Sequence, residues 1–305
     1  MEQFSADEDL RRSTVYLSLR LTFWLTSFLI NMLIFVPTLL HQNFRRDSFK
    51  NVLAQLALGD IFLAIGSCAR HLVNYGDGEG LTLLHCTLLE VFQLTGFVFI
   101  QLAILFISID RFIAVKMPLF YHKLGNKRVI IYRWVIVALL TTVIAAPLFV
   151  EVDPIQTVYA CKTSASWPMW YIRFIYGLAV AVVTTIIVLS LATVFTAQRL
   201  TQSEYNSRIY YTFIYITAVY VFLWTVPKIS FLLITKVSHP TPLVSTLQWH
   251  VNGIADNTMG IANFVIYGWR HREVREAVVE MFQYKKTVRV VEVGHVVHYS
   301  TSYMV

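Results

Sequence analysis

The sequence predicts an all-α membrane protein: a bundle of seven transmembrane helices followed by a short amphipathic eighth helix. Three observations predict it. The chain of 305 residues is 56% hydrophobic and only 14% charged, with a mean hydropathy of +0.59. A soluble domain carries about 25% charged residues to keep its surface polar. Seven apolar stretches, at 17–40, 50–73, 83–112, 130–150, 168–197, 208–235 and 242–268, each reach the ~20 residues a helix needs to cross the hydrocarbon core. Finally, GWRHREVREAVVEM at 268–281 puts Trp269, Val274, Ala277, Val278 and Met281 near one helical face and charges on the other. That is the pattern of a helix lying along a membrane surface.

Residues 1–16 form a short extracellular arm in this reading. MEQFSADEDLRRST is acidic and then basic, and the apolar stretch after it is too long for a cleavable signal, so the first span acts as its own insertion signal. The arm is too short for a ligand-binding domain and contains no N-x-S/T acceptor. The second and seventh spans hold a single acid each, Asp60 and Asp256. The third runs without charge from Val91 to Ile109 and then stops on Asp110-Arg111, and Phe174–Gln198 in the fifth has no charge at all. Each span must be helical, because lipid offers no partner for a bare amide. With the N-terminus outside, the inner side receives Arg45, Arg46, Lys50, Lys116, Lys123, Lys127, Arg128, Arg133, Arg199, Arg208 and the bases of the tail. These are about twice the number outside, so the C-terminus is placed in the cytoplasm. Residues 17–267 form one domain and 282–305 a cytoplasmic tail. In the tail Ser300, Thr301 and Ser302 are candidate phosphorylation sites, and Tyr303 and Val305 a candidate recognition pair for β-augmentation.

Several function classes are disfavoured. The net charge of +7 falls between apolar runs and makes no basic face for nucleic acid. Three cysteines give neither a zinc site nor a disulfide framework; one pair and one spare is the natural count. No HExxH, GxSxG or Walker motif is present, and an enzyme is not expected. No cofactor is implied. A transporter or channel is the rival class, but Asp60 and Asp256 have no continuation into a charged relay, and no internal repeat is visible.

The positive evidence is a set of residues in order. Asn31 lies in the first span and LALGD, ending on Asp60, in the second. Cys86 starts the third, and Asp110-Arg111-Phe112 ends it 25 residues later. Trp134 lies in the fourth span, Pro227 of FLWTVP in the sixth, and Asn263-Phe264-Val265-Ile266-Tyr267 in the seventh. With these landmarks the chain resembles a rhodopsin-like (class A) G-protein-coupled receptor over essentially its whole length. Its short loops and eroded motifs are most similar to nematode serpentine chemoreceptors of the SRSX kind, with small neuropeptide receptors as the alternative.

The resemblance implies roles for particular positions. Cys86 and Cys161 are expected to bridge on the oxidising outer side, pinning the loop between the fourth and fifth spans across the mouth of the bundle. Cys68, inside the second span, reads as a packing residue. Asp110 is expected to hold Arg111 by a charge-assisted hydrogen bond until a heterotrimeric G-protein competes for the arginine. Pro118 begins a loop that presents Leu119 to the same partner, and Tyr267 is the inner switch of the seventh span. Asn31, Asp60 and Asn263 form a polar core. Ile100 and Met259 stand where many members have polar residues, which points to a water network and away from a sodium site. Ser207 stands where the family keeps an acid on the sixth span, with Glu204 three residues earlier, so a loosely restrained resting state is expected.

Helical spacing from these anchors gives the residues facing the cavity: Glu90, Gln93, Leu94 and Phe97 on the third span, Lys228, Ile229 and Leu232 on the sixth, and Trp249, Gly253 and Asn257 on the seventh. Gln93 replaces the aspartate of amine receptors. Asn257 replaces the retinal-bearing lysine of opsins and cannot form a Schiff base. Lys228 either meets an acidic or carbonyl ligand or pairs with Glu90 or Asp256. The expected partners are a small-molecule or short-peptide ligand from outside, a G-protein and arrestin-type regulators inside, and the lipid of the plasma membrane.

Overall fold

The computed structural model describes residues 14–40, 48–75, 81–124, 127–150, 152–158, 161, 167–200, 215, 217–237, 242–266, 274–276 and 278–279. In chain order the long helices are α1 (Thr14–Leu40), α2 (Ser48–Tyr75), α3 (Leu83–Lys116), α4 (Lys127–Ala145), α5 (Met169–Leu200), α6 (Val226–Val237) and α7 (Pro242–Phe264). Among the described residues five segments are long and apolar enough to cross a membrane: Leu17–Leu40, Lys50–Tyr75, Leu83–Lys116, Arg128–Phe149 and Trp170–Thr196. The sixth predicted span is described only in part, since 208–214 lies outside the described residues. The seventh is a 23-residue helix whose sequence is less apolar, with Gln248, His250, Asn252, Asp256, Asn257 and Asn263. Most of the predicted eighth helix also lies outside the described residues; 274–276 and 278–279 are helical, and Val274 is buried.

α3 is the hub. One face packs Ile100, Ala103, Ile104 and Ile107 against Val52, Leu53 and Leu56 of α2 and Val183 and Ile186 of α5. The other packs Leu94, Val98 and Leu102 against Val137 of α4, Leu148 and Tyr171. The central span of α2 is 72% buried, that of α4 only 22%. Leu139, Val143, Val188 and Phe195 on α4 and α5 are correspondingly exposed, which in a membrane chain is the face turned to lipid.

α2 and α3 touch backbone to backbone. A Cβ built at Gly96 would lie 2.4 Å from the Leu63 amide nitrogen and 2.6 Å from the Gly59 carbonyl oxygen, and one at Gly66 would lie 2.6 Å from the Gln93 nitrogen. Only residues without a side chain permit this approach, the usual device of helix contacts in membranes.

α3 starts where the sequence places it, and Thr82 caps that start, accepting from the His85 N–H at 3.4 Å. Its other end differs: the helix does not stop at Phe112 but continues to Lys116, about 6 Å further at 1.5 Å per residue. Pro118 then opens a short helix, Pro118–Leu124, where a loop was expected. Proline suits a first helical position because its missing N–H would have had no partner there.

Candidate functional site

At the end of the bundle that the sequence places outside, several devices tie residues 156–158 and Cys161 to α2 and α3. Cys86 and Cys161 form a disulfide with Cα atoms 5.3 Å apart, and both are fully buried. Beside it the backbone N–H of Leu83 donates to Gln156 at 2.7 Å, that of Val158 donates to Leu81 at 2.9 Å, and Thr82 and Thr157 pair as an antiparallel bridge. Asn74 completes the clamp: its Oδ1 accepts from the Cys161 N–H at 2.7 Å and its Nδ2 donates to the Cys161 carbonyl at 3.0 Å. Asn74→Ala removes both bonds and leaves a buried backbone donor unpaired. It is expected to cost about 1–3 kcal/mol, read as a lower unfolding temperature of the purified chain, while the disulfide still forms.

Beneath the rim α1, α2, α3 and α7 meet through charged groups. Arg70 Nη1 donates to Glu90 Oε1 at 2.7 Å, and their side chains are 6% and 1% exposed. Arg20 hydrogen-bonds His71, whose ring meets Trp24 edge to face at 4.6 Å. Gly253 faces Arg20: a Cβ there would lie 3.4 Å from Nη2. Glu90 thus contributes to an interhelical ion pair instead of standing open to the cavity.

Deeper, Lys228 of α6 donates to Asp256 Oδ2 of α7 at 2.9 Å, and its Nζ lies 5.8 Å from the centroid of the Phe97 ring on α3. Of the two internal partners considered for Lys228, Asp256 is the one in contact. Lys228 and Ile229 also line a cavity of about 110 Å³ between α5 and the sixth span, with Tyr176, Ala179, Val183, Ile187 and Thr225 among its walls. Thr225 ends a π turn, Val221–Thr225, that leads into α6 just before Pro227. Its hydroxyl donates to the Tyr220 carbonyl at 3.4 Å.

The other predicted cavity residues are divided. Gln93 packs against Gly66. Leu94 is buried in the cluster that joins α3 to α4 and α5, because the α3–α4 packing turns that face away from α6. Asn257 donates to the Gly253 carbonyl at 2.7 Å within α7. The side chains of Leu232 and Trp249 lie outside the described residues.

The polar core comes together. Asn263 Nδ2 donates to Asp60 Oδ2 at 3.0 Å. Asn31 Nδ2 donates to the Ser27 carbonyl at 2.9 Å and to the Gly260 carbonyl at 3.4 Å. Gly260 makes room for this junction of α1, α2 and α7: a Cβ there would lie 2.5 Å from Ser27 Oγ and 3.3 Å from Asp60 Oδ1. Ile100 and Met259 lie in the apolar cluster.

At the inner end Asp110 is buried. Its Oδ2 accepts from the Tyr121 hydroxyl at 3.1 Å. Arg111 Nε stands 3.9 Å from Oδ2 and Arg133 Nη2 3.9 Å from Oδ1, so both are ion contacts and too long for hydrogen bonds. Asp110 thus takes a hydrogen bond from Tyr121, which the short helix brings back under α3, beside its ion contacts to the two arginines. Phe112 lies 5.3 Å from Lys116 Nζ. Leu119 is 84% exposed. Tyr267, Ser207 and Glu204 fall outside the described residues.

A profile described as serpentine type 7TM GPCR chemoreceptor Srsx matches residues 24–282. The chain belongs to that family. A comparison with curated proteins gives no match. As an Srsx chemoreceptor the protein is a multi-pass membrane receptor, and the five apolar helices and the outer disulfide accord with this. Arg70, Asn74, Tyr121 and Arg133 were not singled out from the sequence. Arg70 and Glu90 were visible there as opposite charges at the outer ends of two consecutive, hence antiparallel, spans. Nothing local to Asn74 or Tyr121 announced a partner far away in the chain.

Proposed function

We propose that this Srsx chemoreceptor sits in the plasma membrane with its N-terminus outside and carries an extracellular small-molecule or short-peptide signal to a heterotrimeric G-protein. The observation that supports it best is the inner end of α3. There Arg111 stands in a 3.9 Å ion contact with the buried Asp110, and Leu119 stands exposed on the adjoining helix. A large apolar side chain so exposed on the cytoplasmic side fits a docking contact, and an arginine in ion contact with a buried carboxylate fits a group that changes partners. Ligand in the cavity among the third, fifth, sixth and seventh spans favours an arrangement with the inner end of the sixth span displaced. Arg111, Leu119 and Tyr267 then meet the G-protein. The coupling requires only that ligand bind one arrangement better than the other. Arrestin-type regulators would act on the tail.

The test is a cell reporter for G-protein activation without added ligand. Basal signal is expected above that of mock-transfected cells. Arg111→Ala is expected to lower it roughly ten- to a hundredfold at equal surface expression, the equivalent of one charge-assisted contact. Equal signal from the two receptors would refute the assignment.

A further inference from the structure

We propose that the ligand is a small organic acid with an apolar body, and that its carboxylate binds by displacing Asp256 from Lys228. This rests on the reading of the chain as a ligand-operated receptor and names the chemistry of its site. The cavity beside α5 is walled by apolar side chains such as Ala179, Val183, Ile187 and Ile229, and Lys228 is the charged residue among those lining it. An ammonium offers three donors and no acceptor, so it selects an anion or a strong acceptor. Asp256 approaches the same Nζ from α7 at 2.9 Å and does not line the cavity. An amine entering the cavity therefore meets Lys228 first and is repelled.

Asp256 is 6% exposed, and its Oδ1 has no hydrogen-bond partner among the described residues. The bridge is therefore not a fully satisfied pair, and a second carboxylate can compete for the ammonium. The entering carboxylate takes over the Lys228 charge and leaves Asp256 a buried anion without it, a cost that filling the apolar cavity has to exceed. Affinity then comes from filling the apolar cavity, which makes the body of the acid the determinant of selectivity.

The same exchange supplies a state preference. The Lys228–Asp256 bridge ties α6 to α7 one residue beyond Pro227. The two carboxylates compete for one ammonium and repel each other, so the acid favours any arrangement in which α6 has left α7.

The experiment uses the full chain in lipid nanodiscs. Unfolding temperature and equilibrium binding are measured with hexanoate and phenylacetate, against hexylamine, phenethylamine and hexanol. The acids are expected to bind and to raise the unfolding temperature; the amines and the alcohol are not. Asp256→Asn, which removes the competing carboxylate, is expected to tighten acid binding roughly tenfold, and Lys228→Met to weaken it roughly ten- to a hundredfold. If Lys228→Met fails to fold, the double variant Lys228→Met/Asp256→Met removes both charges together and is expected to fold and bind no acid. The proposal is overturned if no acid binds, if the amines bind and Asp256→Asn abolishes this, or if the double variant binds acids as the wild type does. Binding is read without a G-protein. An acid that binds and evokes no reporter signal therefore refutes the coupling reading while leaving this one standing.

Discussion

Gly96→Leu is expected to prevent the bundle from assembling, with almost no chain reaching the cell surface, whereas Gly177→Ala is expected to behave as wild type. The contrast isolates the reason. At Gly96 even a Cβ would stand 2.4 Å from the Leu63 nitrogen, 2.6 Å from the Gly59 carbonyl and 2.9 Å from the Leu63 Cα. The first two of these and the last are all backbone atoms, which cannot rotate away as a flexible side chain does. The two helices must separate. The same contact carries the packing of Leu53, Leu56 and Leu63 on Ile100 and Ile104, so separation opens the main apolar cluster as well. Overpacking a tight core costs about 1–3 kcal/mol; a leucine against backbone lies at or beyond the upper end. A small domain has only about 5–15 kcal/mol in all. At Gly177 a Cβ would meet nothing within 4 Å, so alanine there adds helix propensity worth up to about 1 kcal/mol and no clash. Surface labelling of cells and thermal unfolding of purified protein measure both. Normal expression of Gly96→Leu would show that α2 and α3 do not pack this closely.

The difference between these glycines also shows what the sequence could and could not disclose. Span existence was legible because lipid imposes one solution on the backbone: about 20 apolar residues must form a helix. The polar core was legible for a similar reason, since an acid such as Asp60 survives in an apolar helix only near other polar groups, and Asn263 supplies its hydrogen bond. The Cys86–Cys161 bridge followed from position at the outer side. Helix contacts carry no such local signature. Gly59, Gly66, Gly96 and Gly177 all read as glycine in an apolar run, and only the helix crossing tells a backbone contact from open space. The cavity suffered for the same reason. Spacing along α3 put Leu94 and Phe97 on one face, but a three-residue step turns about 300° around the helix. That offset is enough for Leu94 to join the α4 side while Phe97 approaches Lys228. The inner end was legible in type and wrong in detail. Asp110 and Arg111 are adjacent, yet Pro118 starts a helix that carries Tyr121 to the carboxylate, a contact eleven residues away that no motif encodes.

Glu90→Ala is expected to cost about 3–5 kcal/mol, and the double variant Arg70→Met/Glu90→Leu less than either single change. The bond at 2.7 Å joins side chains that are 6% and 1% exposed, so truncating the glutamate strands a guanidinium in a site built around its carboxylate. Breaking one half of a buried pair carries the larger penalty, while replacing both halves by apolar groups of similar size is often neutral. Snorkelling is the escape that would lower the single-variant cost, because a long arginine near a helix end can lift its head group to the interface. Two observations oppose it here. Asn74, one turn further along α2, is held by the Cys161 backbone, which is itself tied to α3 by the disulfide to Cys86. His71, the residue beside Arg70, is held by Arg20 and Trp24, which fixes the turn from which Arg70 extends. Thermal unfolding of the three variants in nanodiscs gives the coupling energy directly. Equal, additive losses would mean that the two side chains do not act as a pair. The double variant separates two roles as well. Retained hexanoate binding would make Glu90 a positioning residue of the outer bundle, and lost binding in a well-folded double variant would make it part of the ligand site itself.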